Sequence, residues 1–168
     1  MAQRHIHYEA AFEDYLRMRR WPYIPVNEQK KAVLSGARVK SFDFIVYKPG
    51  RPAWLADVKG RKFPYEGTHG KRFWENWVTL EDLQGLHEWE GAFGEGFEPV
   101  FVFAYWLIGS SIASSTAPLY FFRNRYYSFA CVSAGAYAAY ARTRSPKWRT
   151  VSVSGRNFRN LIRPIEEA

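Results

Sequence analysis

Phe42-Asp43-Phe44-Ile45-Val46-Tyr47-Lys48-Pro49-Gly50-Arg51-Pro52-Ala53-Trp54-Leu55-Ala56-Asp57-Val58-Lys59 is the stretch on which the fold turns. Two runs rich in aromatic and β-branched residues, read as strands over 39–47 and 53–59, flank Lys48-Pro49-Gly50, a turn signal. They are expected to pair as a hairpin. Each run carries an acid among apolar neighbours. Side chains alternate across a strand, so Asp57 and Lys59 share one face, and the hairpin can bring Asp43 beside Asp57. A carboxylate in an apolar run is costly unless water, a cation or a donor satisfies it. Two neighbouring carboxylates also repel, and a divalent cation removes the repulsion. Hard oxygen ligands suit Mg²⁺ or Mn²⁺. An ammonium at Lys59 would then sit where negative charge grows on a phosphate under attack.

The acid-x-lysine spacing is weak by itself. With 16 acids in 168 residues, chance supplies about one such match, and Glu28-Gln29-Lys30 is a second one. The strand context separates the two. Taken singly, each residue also has a plainer reading: Asp43 and Asp57 pair with arginines, and Lys59 lays its stem along apolar surface.

Outward from the hairpin, 7–19 reads as a helix whose Tyr8, Ala11, Phe12, Tyr15 and Leu16 form an apolar stripe. Trp21-Pro22 ends it, since the residue before proline avoids helical backbone. An extended segment over 23–34 follows. Beyond Lys59, 60–72 reads as a loop with Gly60, Pro64, Gly67 and Gly70. Thr79-Leu80-Glu81-Asp82 then opens a helix with a capping box, Asp standing where Glu is usual. Leu80, Leu83 and Leu86 (with Trp89) continue its apolar side, and 91–96 breaks it. The apolar run 99–107 reads as a strand buried on both faces. A polar loop over 110–116, one or two strands over 119–133, a short helix over 134–142, a strand over 148–154 and a final helix over 157–165 complete the chain. The order implies an α/β fold with a central mixed β-sheet flanked by helices on both faces.

Composition sets bounds. A chain of 168 residues is expected to be one domain, 1–168, and 47% apolar with 18% aromatic residues excludes disorder. The lone Cys131 excludes an internal disulfide and a multi-thiolate zinc site, and it reads as a buried thiol. The N-terminus lacks an apolar h-region, and the longest apolar run, 100–109, is about half a membrane span. A cytoplasmic protein without a membrane partner is expected. Net charge is +8, with 9 basic and 2 acidic residues from 121 onward, against 7 acids and no Lys or Arg over 75–98. Such asymmetry suits an anionic partner such as nucleic acid, or solubility alone.

Helix, strand, strand with Asp43, strand with Asp57-Val58-Lys59, helix, strand resembles the PD-(D/E)XK nuclease superfamily over about residues 7–107, with Phe42 in place of the motif's proline. The resemblance implies a restriction-endonuclease-like core (αβββαβ) carrying a C-terminal strand-helix-strand-helix extension that the superfamily does not account for. It implies a metal-dependent nuclease acting on nucleic acid, DNA being the expected substrate. Asp43, Asp57 and the Val58 carbonyl would hold Mg²⁺ or Mn²⁺, with Glu9 joining directly or through water. Glu9 is preferred to Glu13 because it lies nearer the edge of the apolar stripe. Lys59 would orient the attacking water and stabilise developing charge. Gln84 lies where some members place a site glutamine, though a solvated helix residue is the plainer reading. The scaffold also makes a homodimer an expectation. The opening His7-Tyr8-Glu9-Ala10-Ala11-Phe12-Glu13 resembles a family named for HYExAFE, a name that carries no activity.

Arg61, Lys62, Lys71 and Arg72 follow the site and would grip phosphates, with Phe63, Tyr65 or Phe73 stacking on bases. Arg142, Arg144, Lys147, Trp148 and Arg149 form a second basic-aromatic candidate. His5, His7 and His69 read as terminal or loop residues, and 91–96 lacks the order of a dinucleotide fingerprint. The alternative function is a catalytically inactive nucleic-acid-binding module that keeps the fold. A third is a scaffold whose acidic segment meets the basic tail of a neighbour.

Overall fold

The computed structural model describes residues 3–26, 32–34, 37–66 and 72–167. The first helix, α1 (Gln3–Met18), buries the expected stripe of Tyr8, Ala11, Phe12, Tyr15 and Leu16. It closes with Trp21 N–H donating to Leu16 C=O at 3.1 Å across Arg20, whose φ is 56°. That left-handed C-terminal turn reverses the chain ahead of Pro22.

Strands β1 (Tyr23–Pro25), β2 (Ala32–Leu34), β3 (Ala37–Val39), β4 (Phe44–Val46) and β5 (Ala53–Phe63) follow. The hairpin forms as β4 against β5, with Phe44 opposite Ala56 and Val46 opposite Trp54. The single strand expected over 39–47 is interrupted. Val39 ends β3, which pairs back onto β2, and the chain leaves the ladder over 40–43. The cause is tertiary: Phe42 inserts between Trp89 and Phe93 of the following helix, ring centroids 5.6 and 6.0 Å away.

A second correction concerns 60–72. Strand β5 runs straight through Gly60 to Phe63, because β9 (Phe97–Leu107) offers a parallel partner of equal length, Ala53 opposite Phe97 and Phe63 opposite Leu107. Gly60 is there for space: a Cβ would lie 2.1 Å from the Tyr8 ring. Short pairings β6 (Tyr65–Glu66) with β7 (Arg72–Phe73) follow. Then come β8 (Val78–Thr79) and α2 (Leu80–Phe93), whose capping box has both halves in place. The polar loop expected over 110–116 contains a single helical turn, α3 (Ser111–Ser114).

The rest is β10 (Tyr120–Phe122), β11 (Arg125–Ser133), α4 (Ala134–Tyr140), β12 (Arg142–Ser145), β13 (Thr150–Ser152), α5 (Gly155–Leu161) and β14 (Arg163–Pro164). The main sheet has the order β1-β4-β5-β9-β11-β10, with β14 on β11. It is mixed: β5 and β9 are parallel, the other pairs antiparallel. The tail adds a small sheet, β12-β13-β8. Alternation along β5 divides two cores. Trp54, Ala56 and Val58 face α1, whereas Leu55 faces a layer containing Leu86 of α2, Tyr137 of α4 and Phe158 of α5. Among the described residues, no helix is long and apolar enough to cross a membrane.

Candidate active site

The site lies where β4 and β5 separate. Asp43 N–H donates to Ala56 C=O at 2.9 Å, and two residues further along β5 Asp43 Oδ2 accepts the Val58 N–H at 2.6 Å. The carboxylate thus stands in for the strand partner that β4 no longer supplies. In a strand the N–H and C=O of one residue point to the same edge, so the Val58 carbonyl faces the same gap.

Asp57 and Lys59 project from the α2 side of β5, as alternation requires. Lys59 Nζ lies 2.9 Å from Asp57 Oδ1 and 3.1 Å from Asp82 Oδ1. The Lys40 ammonium pairs with the same Asp82 oxygen. Burial favours the neutral amine at Lys59, but Asp57 and Asp82 outweigh it and hold the ammonium protonated, with Asp43 contributing. Asp82 is also buried, yet the charges of Lys59 and Lys40 with the Thr79 N–H bring its carboxyl down to about 2. Asp57 moves the other way. Burial, with the like charge of Asp82, lifts it above the usual carboxylate range against the pull of Lys59.

Asp82 is the residue that sequence reasoning assigned to the cap alone. Its Oδ2 does accept the Thr79 N–H at 2.8 Å, and its N–H donates to Thr79 Oγ1 at 3.1 Å. Its Oδ1 serves the two lysines. The available signal was spacing: Asp82, Gly85 and Leu86 share one face of α2, and all three are buried. Gly85 lies against the Lys40 backbone, where a Cβ would come within 2.8 Å of its carbonyl. That approach sets the Lys40 segment over α2.

Other expected residues lie elsewhere. Glu9 is half-buried on α1, against the sheet face that carries Ala56 and Val58, while Asp57 and Lys59 project from the opposite face. Among the described residues no three His, Cys, Asp or Glu side chains converge as a metal-holding group, so Glu9, Asp43 and Asp57 do not form one. Arg61, expected in an open loop, is only 6% exposed because β5 carries it inward. It donates to the carbonyls of Gly60 and Trp77 and lies 4.0 Å from the Trp77 ring centroid. Lys62 is exposed beside Trp106, 5.1 Å from the ring centroid, on the α1 side of the sheet. Gln84 is exposed on α2, off the buried face. Arg72 lies in β7, and Lys71 and His69 fall outside the described residues. His7 Nδ1 is 2.9 Å from the Tyr127 hydroxyl. Cys131 is buried, which pushes its thiol up to about 12.

The donor set suits a hard divalent cation. Asp43, Asp57 and the Val58 carbonyl offer oxygen alone, and Mg²⁺ commonly uses one or two carboxylates, completing its shell with water and substrate phosphate. The raised proton affinity of buried Asp57 is the excess that a neighbouring cation would offset.

The element order, the parallel β5–β9 pair and helices on both faces define a restriction-endonuclease-like fold with additional C-terminal elements. The chain is similar to Hjc, a Holliday junction resolvase from the archaeal hyperthermophile Archaeoglobus fulgidus, with a TM-score of 0.56, 13% identity and coverage of 96% of this chain and 97% of that one. No protein-family model and no curated protein matches the chain, so the likeness of its opening to HYExAFE rests on those seven residues.

Proposed function

We propose that the chain is a metal-dependent nuclease that hydrolyses phosphodiester bonds in DNA. The observation that carries this reading is the joint placement of Asp57 and Lys59 on one face of β5 with the Asp43 carboxylate held against Val58 across the β4–β5 gap. The nuclease-like fold supports it. Asp43, Asp57 and the Val58 carbonyl would hold Mg²⁺ or Mn²⁺. The bound cation would lower the pKa of a water and polarise the phosphate.

This chain's residues then have distinct parts. The Val58 N–H fixes the Asp43 carboxylate at 2.6 Å. Asp57 supplies charge at the gap. Lys59 remains an ammonium through its contacts with Asp57 and Asp82, so it orients water and stabilises the charge that grows on the phosphate, rather than removing a proton. Asp82 positions the Lys59 ammonium and touches no reacting atom.

The test is incubation with supercoiled, linear, single-stranded and branched DNA in Mg²⁺ or Mn²⁺, with RNA as a further arm. Cleavage that disappears in Asp57→Ala and in Lys59→Ala is expected. Cleavage surviving either substitution would remove the site from the proposal. A second reading, a binding module without chemistry, draws on the ion pairs of Lys59 to both Asp57 and Asp82, which already balance the lysine's charge. Calorimetric titration with Mn²⁺ separates the two, since a pure binder shows salt-dependent DNA affinity with no heat lost in Asp43→Asn.

A further inference from the structure

The turn joining β12 to β13 exposes a tryptophan that nothing in the described chain covers. Trp148 is 69% exposed, although its backbone is tightly tied. Trp148 N–H donates to Ser145 Oγ at 3.3 Å, and Arg149 N–H donates to Pro146 C=O at 3.2 Å. Arg149 sits at φ 50°. Its carbonyl accepts the Leu80 N–H at 2.9 Å, and its guanidinium lies 3.4 Å from Glu81. The turn is therefore fastened to the first residues of α2, two positions from Asp82, which holds the Lys59 ammonium. An indole is the largest apolar side chain, and leaving it in water forgoes burial that a fixed backbone could have arranged.

Charge states what kind of surface this is. Lys147 Nζ stands 5.4 Å from the Trp148 ring centroid. Arg142, Arg144 and Arg149 lie on the same hairpin, and among the described residues the acids that pair with them are Glu75 and Glu81. Arg144 stands over Trp77, 5.3 Å from its centroid, and Arg61 stands over the same ring at 4.0 Å. Arg61 lies buried beneath Trp77, so the exposed part of this series is Arg144 beside Trp77 and Lys147 beside Trp148 at the tip of the hairpin. A cation beside an uncovered π-face matches an anionic ligand that also carries a flat ring. Nucleic acid has both, but the bases of a duplex cover one another along its length. Only an unpaired base has a face free for the indole.

We propose that Trp148 stacks on an unpaired nucleobase of the substrate, with Lys147 and Arg149 on the neighbouring phosphates, so that the C-terminal hairpin selects single-stranded or locally opened nucleic acid. This rests on the nucleic-acid reading above and names the substrate class of that site.

The test is fluorescence anisotropy of a labelled oligothymidine of about 12 nucleotides and of a mixed-sequence duplex of equal length, in EDTA so that cleavage does not intervene. Trp148→Ala is expected to weaken binding to the single strand roughly 5- to 100-fold, the value of one base–aromatic stack. Duplex affinity should change little, and so should the salt slope, because no charge is removed. Trp148→Phe should recover most of the loss. Equal single-strand affinity in wild type and Trp148→Ala overturns the proposal. So does an equal loss on both ligands, or a loss of self-association in sedimentation without a loss of single-strand binding. Parallel cleavage assays in Mg²⁺ keep the two claims apart. A wild-type chain that binds single strands through Trp148 but cuts nothing refutes only the nuclease reading. One that cuts with Trp148 dispensable for binding refutes only the stacking.

Discussion

Replacing Asp82 by asparagine separates its two roles. An amide oxygen still accepts the Thr79 N–H, as Oδ2 does now at 2.8 Å, and the N–H of residue 82 still reaches Thr79 Oγ1 at 3.1 Å. The cap survives, while the charge facing Lys59 at 3.1 Å and Lys40 is lost. The Asp82 carboxyl sits at about 2 against an ordinary 3.8. At about 1.4 kcal/mol per pKa unit, the ionised form contributes about 2 kcal/mol to folding for this buried side chain. The sign follows from depression of the folded pKa. The contribution is complete above the unfolded value, near 4, and is lost as pH falls through that value toward 2. Asp57 offsets part of the loss, because Asp82→Asn removes one of the causes that raise it. A net destabilisation of about 1–2 kcal/mol near neutral pH is expected. With an m-value of about 2 kcal/mol/M, the urea midpoint should fall by roughly 0.5–1 M, and the two proteins should converge as pH drops below about 3. An unchanged midpoint near neutrality, or a gap of constant size down into acid, would refute the ion-pair account.

Gly60→Ala forces a Cβ to within 2.1 Å of the buried Tyr8 ring. Overpacking of this kind costs about 1–3 kcal/mol, and Tm should drop by roughly 2–12 °C. Combining it with Tyr8→Ala should cost less than the two single losses added together, and strict additivity would argue against the contact. Asn76→Ala removes a buried amide that donates to Val153 C=O at 3.0 Å and accepts Val153 N–H at 2.9 Å. Two backbone groups are left without partners, so a loss of about 2–3 kcal/mol in urea unfolding is expected. A loss under about 0.5 kcal/mol would show that water replaces the amide.

Much of the core was legible because its signals are local. Pro49-Gly50 between two apolar runs gives the hairpin, period-2 alternation gives the shared face of Asp57 and Lys59, and Thr79 three residues before Asp82 gives the start of α2. The misreadings all involve partners distant in sequence. Gly60 resembles a strand breaker until Tyr8 is found above it and β9 beside it. Arg61 resembles a loop cation until the longer β5 carries it into the interior under Trp77. Strand 39–47 looks continuous until Phe42 is drawn into α2. Glu9 and Asp57 were both expected at one ion, but the sheet stands between the helix that carries Glu9 and the face that presents Asp57.

Periodicity, turn chemistry and charge order therefore decide by themselves which segments become strands and helices, and that Asp57 and Lys59 travel together. These depend on backbone geometry over a few residues, which a linear string records. The tertiary structure alone decides that β4 leaves β5 after Ala56, that Asp43 closes the vacated edge through Val58, and that Asp82 from α2 shares Lys59 with Asp57. Those outcomes depend on which segments meet across more than a dozen residues of chain. Packing volume and the cost of burying charge settle such meetings, and neither is written in any local window.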